Sequence, residues 1–135
     1  MSDPLVVVNP PELGEPRGFA HGLIAPAAGR TLFVAGQIGT NEEVRGADDD
    51  FIAQFERALE RVLIVVAAAG GRSEHIGRMT VYVTSMERYR DARGALRGVW
   101  RRHMGSHYPA IALVAVTALV DPNASVEIEA TAVLP

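Results

Sequence analysis

An α+β fold, with two helices on one face of a sheet, is predicted for the 135-residue chain from three observations. Two segments repeat apolar residues at helical spacing and are bounded by capping or stop signals. Around them lie short runs that alternate or stay apolar, as strands do. The order of the segments reads ββαβαββ, with no repeat, low-complexity stretch or long linker to divide it. At this length, with 48% apolar residues, one domain over residues 1–135 is expected.

The elements follow in order. Residues 9–18, Asn-Pro-Pro-Glu-Leu-Gly-Glu-Pro-Arg-Gly, form an irregular lead-in, because proline removes donors and fixes φ. The apolar runs 19–24 and 31–37, separated by Ala-Pro-Ala-Ala-Gly-Arg, read as a hairpin. Gly36, Gly39 and Gly46 then loosen the chain. Asp48, Asp49 and Asp50 precede Phe51, Phe55, Leu59, Val62 and Val66, and Gly70-Gly71 follow, which predicts a helix with acids at its positive end and a glycine stop. Residues 75–84 alternate, with Met79, Val81 and Val83 on one side and Thr80, Tyr82 and Thr84 on the other. Helical spacing returns over 86–104. Two last strands are expected at 111–117 and 125–133. In the second, Val126, Ile128, Ala130 and Ala132 face one way and Glu127, Glu129 and Thr131 the other.

Composition narrows the function. The chain has no cysteine, which removes disulfide and thiolate chemistry. Its start, Met-Ser-Asp-Pro-Leu-Val-Val-Val, lacks a basic region, and the apolar run is too short for a signal peptide or membrane span, so a cytoplasmic location and no membrane partner are expected. A net charge of −3 and a pI near 5.8 give no global attraction for nucleic acid.

Few residues point to chemistry by themselves. Arg93 falls inside the apolar arc of the second helix formed by Met86, Tyr89, Leu96, Val99, Trp100 and Met104; there it either snorkels or pairs with a structural acid, or it faces a ligand. Glu127 and Glu129 share one strand face, which suits general acid or base work but also an ordinary solvated sheet. His103 and His107 have metal-like spacing, yet Gly105 lies between them and no nearby acid completes a ligand set, so no metal site is expected. The Ala-Gly-Gln-Ile-Gly segment lacks the lysine and helix start of a phosphate loop.

Several segments together resemble the YjgF/RidA family, also called the L-PSP endoribonuclease-like family. They are Arg-Gly-Phe-Ala-His-Gly-Leu, Leu-Phe-Val-Ala-Gly-Gln-Ile-Gly, the helix ending in Ala-Ala-Gly-Gly, Thr-Val-Tyr-Val-Thr, Tyr-Pro-Ala and Val-Glu-Ile-Glu-Ala, in order over residues 16–133. The resemblance implies a chorismate-mutase-like α+β fold, a mixed and mainly antiparallel six-stranded sheet with two helices on one face. It also implies a homotrimer with ligand clefts between subunits. Its well-characterised members hydrolyse enamines and imines to 2-keto acids and ammonia without metal or cofactor.

Carried across, the water-handling glutamate is Glu127. The ligand-binding positions are Phe19, His21, Ala35, Gly36, Arg93, Tyr108, Pro109, Ala110 and Ile111. Five of these depart from the family pattern. Ile111 stands where an arginine grips the substrate carboxylate, Phe19 replaces a tyrosine, His21 a glutamine, Ala35 a serine, and Arg93 an asparagine. Losing a forked, charge-assisted contact costs on the order of 1.5 to 3 kcal/mol, so ordinary 2-imino acid hydrolysis is in question. Two readings stay open: a deaminase or hydrolase of altered substrate, with Arg93 or Arg17 supplying the missing grip, or a non-catalytic trimer that binds a small molecule such as a carboxylate. Neither a basic stripe nor an acid/base histidine pair supports ribonuclease activity.

Overall fold

The computed structural model describes residues 5–41 and 50–135. Asp48, Asp49 and Gly46 lie outside them. In chain order the elements are β1 (Val6–Val8), β2 (Gly22–Ile24), β3 (Arg30–Ile38), α1 (Phe51–Ala68), β4 (Ile76–Val83), α2 (Met86–Met104), β5 (Ala110–Ala115) and β6 (Val126–Leu134).

The main sheet has the order β3-β6-β4-β5. β6 runs antiparallel to both neighbours, and β4 and β5 are parallel, joined by α2. The last strand is therefore inserted between β3 and β4, and its alternation is the sharpest in the chain. Val126, Ile128, Ala130, Ala132 and Leu134 are buried under the helices, whereas Glu127, Glu129, Thr131 and Val133 are half-buried on the other face.

Two expectations are corrected. The runs 19–24 and 31–37 do not form a hairpin: β2 pairs with β1, Val7 opposite Leu23, and β3 pairs with β6. Pro26 has no N–H to continue the β2 ladder, and the chain turns there instead, Gly29 N–H donating to the Pro26 carbonyl at 3.1 Å. The six strands consequently divide into a four-stranded sheet and a two-stranded ribbon. The α+β class with helices over one sheet face holds.

Both helices start on side-chain caps. The Asp50 carboxylate accepts from Ile52 N–H, and the Ser85 hydroxyl accepts from Arg88 N–H. Gly70 has φ of 86° just after α1, the left-handed position that favours glycine. Phe55, Leu59, Val62 and Val66 of α1 meet Met79, Val81, Ile128 and Ala132 in one core. Gln54 is the buried polar residue of α1. Its Oε1 accepts from Ser125 N–H at 2.8 Å and its Nε2 donates to the Asn123 carbonyl at 3.1 Å, which ties the approach to β6 against the helix.

The buried side of α2 is Ala92, Leu96, Val99, Trp100 and Met104. Arg93 is exposed, its Nε donating to the Arg90 carbonyl at 3.4 Å. At about 100° per residue it lies about 20° from both Trp100 and Met104, inside the buried arc, and the length of its side chain carries the guanidinium out to water. Among the described residues, no helix is long and apolar enough to cross a membrane.

Candidate functional site

The sheet face away from the helices carries the polar side chains. β4 contributes Arg78, Thr80 and Tyr82, whose register partners on β6 are Thr131, Glu129 and Glu127. The Tyr82 hydroxyl donates to a Glu129 carboxylate oxygen in a short hydrogen bond. That bond, with burial and the nearby charges of Glu129 and Glu127, holds the Tyr82 phenol above its ordinary range; a hydrogen bond with Thr80 opposes the shift.

Glu127 lies opposite Ile38, where the β3–β6 register shifts between Val34 and Gln37. Ala35 and Gly36 sit in this irregularity, with the Gln37 side-chain amide donating to the Ala35 carbonyl at 3.2 Å. A Cβ on Gly36 would come within 2.8 Å of the Glu127 carboxyl carbon. Glycine here leaves the room that the carboxylate fills. Ala35, Gly36 and Glu127 are thus brought together.

A second group forms at the start of β5. Ala20 N–H donates to the Pro109 carbonyl at 3.0 Å, placing Phe19 and His21 beside Tyr108, Pro109 and Ala110. The Phe19 and His21 rings meet edge to face at 5.2 Å. His21 is fixed twice: its N–H donates to Asn9 Oδ1 at 2.8 Å, and its ring Nε2 lies 3.0 Å from the Gly14 carbonyl. Tyr108 stacks on Trp100, with ring centroids 5.7 Å apart, and the indole N–H donates to the His107 carbonyl at 3.1 Å.

One chain does not join the two groups. Ala110 pairs with Arg78 and Glu127 with Tyr82, four residues farther along β4. At a rise of about 3.3 Å per residue they are separated by roughly 13 Å along the strand.

The remaining candidates lie elsewhere. Ile111 pairs with Met79 and packs its side chain against the core, on the helix side of β5. Arg17, like Arg93, is exposed. Arg78 was not singled out from the sequence, yet it is exposed, on the open face, directly opposite Ala110. The alternation of β4 contained the hint, since Arg78 shares the parity of Thr80 and Tyr82, but only the register places it next to Tyr-Pro-Ala. The absence of an acid near His103 is also corrected: Glu56 and Glu60 of α1 each place a carboxylate oxygen 3.6 Å from its Nε2. His107 does not join them, its Nε2 lying 2.7 Å from the Ile76 carbonyl.

Comparison with known proteins identifies the family and its fold. The family model described as Endoribonuclease L-PSP matches residues 17–134. Protein DfrA of Myxococcus xanthus is 37% identical over 111 residues, 78% of each chain. The crystal structure of YyfB, a conserved Rid-family protein from Yersinia pestis, superposes with a TM-score of 0.81 at 29% identity, covering 98% of this chain and 100% of that one. E. coli TdcF, solved with bound serine, gives a TM-score of 0.67 at 26% identity over 90% of this chain and 92% of its own. The chain belongs to the Endoribonuclease L-PSP family, the YjgF/RidA family of α+β proteins.

Proposed function

We propose that the protein assembles as a homotrimer whose clefts, between subunits, bind a small nitrogen-containing metabolite and hydrolyse its imine or enamine form without a cofactor. The observation that carries this reading is the division of the family's site positions into two groups on one chain, about 13 Å apart along β4. Neighbouring subunits that abut through the open sheet face would bring Glu127 of one against the Tyr108–Ala110 group of the next. That face also bears Phe33, 80% exposed, and Val114, 43% exposed, apolar surface that association would remove from water.

The chemistry asks little of the protein. Glu127 accepts a proton from a water molecule as the water oxygen bonds to the imine carbon and returns it to the nitrogen, giving a carbinolamine. The C–N bond then breaks as the hydroxyl proton passes to nitrogen, leaving the carbonyl and ammonia. The overall change is C=NH plus water to C=O plus ammonia. A carboxylate on the substrate would find its partner in Arg78, whose guanidinium offers the forked contact that Ile111 cannot. TdcF with bound serine supports a small amino- or keto-acid-sized ligand. A chain without cysteine suits a cytoplasmic setting.

The test couples purified protein to an enzyme that generates 2-imino acids and follows ammonia release. Acceleration over buffer, abolished in Glu127→Gln, is expected; no acceleration removes the hydrolase reading. The core position of Ile111 favours a second reading, in which the trimer binds without turnover. A ligand-induced rise in melting temperature with no product formed distinguishes it.

A further inference from the structure

On the helix side of the molecule, far from Glu127, three side chains from two elements converge. Glu56 and Glu60 are four residues apart on α1 and so share a face; His103 approaches them from the last turn of α2. One ligand atom from each lies within 4.8 Å of the others. His103 Nε2 is buried and has no hydrogen-bond partner. It stands 3.6 Å from Glu56 Oε1 and 3.6 Å from Glu60 Oε1, beyond hydrogen-bonding length. Zinc bonds of about 2.0 to 2.2 Å in a tetrahedral site set neighbouring ligand atoms about 3.4 Å apart, so the two 3.6 Å separations from His103 need only a slight contraction, while the carboxylate oxygens, within 4.8 Å, close by side-chain rotation. The two glutamates also border an open depression of about 280 Å³, through which water reaches their side of the cluster.

We propose that Glu56, Glu60 and His103 form a binding site for a divalent transition-metal ion of the zinc class, a clamp holding α1 to α2. Two carboxylate oxygens and one imidazole nitrogen are a borderline donor set, suited to zinc rather than to calcium or magnesium, which prefer oxygen alone. The Arg102 guanidinium competes for the site through its contact with Glu56. It is 60% exposed and held by a surface ion pair, which a divalent ion can displace.

The experiment titrates chelator-treated full-length protein with zinc chloride by calorimetry, and with cobalt(II) by visible absorption. One ion per chain is expected, with tetrahedral cobalt bands and a melting temperature that rises with free metal. His103→Gln and Glu60→Gln should each weaken binding at least tenfold. Arg102→Gln should tighten it several-fold, because it frees Glu56; a purely structural ion pair gives no such gain. No binding, or affinities unchanged in His103→Gln and Glu60→Gln, overturns the proposal. Imine hydrolysis is independent of this site, so its outcome does not bear on the clamp.

Discussion

Gly36 lies against the Glu127 carboxylate so closely that a Cβ at position 36 would stand 2.8 Å from its carboxyl carbon. The relationship depends on the irregularity in β3 between Val34 and Gln37, which brings the strand's backbone up to the acid instead of a side chain. A glycine in an edge strand usually weakens it; here it makes room for the one carboxylate the proposed chemistry uses.

Gly36→Ala is therefore expected to separate stability from function. The Glu127 side chain can swing away from the new methyl, so the loss of stability should stay near 1 to 2 kcal/mol. Displacing the carboxylate by about 1 Å should lower hydrolysis, or ligand affinity if no turnover occurs, on the order of 100-fold. Denaturant unfolding and the ammonia assay measure the two effects; full activity would show that Glu127 is not held by this contact.

Tyr82 provides a pH readout of the same face. Its phenol is held above the ordinary tyrosine range, chiefly by the bond to Glu129. A group whose pKa is raised on folding contributes stability in its protonated form, present below the unfolded value and lost as pH rises through the folded one. Tyr82→Phe should remove from the ultraviolet titration a component that ionises above the ordinary tyrosine range. A curve that loses a component within or below that range instead would contradict the assignment.

The folding pattern was legible wherever one strand or helix face is buried by its neighbours. The alternation in β4 and β6 and the span of α2 at Met86–Met104 match the structure because the core enforces them. The hairpin expected from 19–24 and 31–37 failed because adjacency in sequence does not select a strand's partner; β6, nearly a hundred residues away, supplies the longer apolar ladder for β3. Arg93 misled because helical spacing marks a face but not how far a long side chain reaches beyond it. Within the site, Glu127 and the Tyr-Pro-Ala segment were visible as residue types. Their separation, the position of Arg78 opposite Ala110 and the meeting of Glu56 and Glu60 with His103 depend on register and packing between elements, which no local pattern encodes.

The central claim, a site completed only between subunits, is tested most directly by mixing two defective chains. Glu127→Gln and Arg78→Gln each remove one half of the cleft. Alone, each homotrimer should hydrolyse imine poorly, or bind ligand poorly. Co-refolded in equal amounts, about one quarter of the clefts should receive an intact Glu127 from one subunit and an intact Arg78 from its neighbour, and activity should return in that proportion. A mixture no more active than either parent would place both residues in a single-chain site and contradict the account.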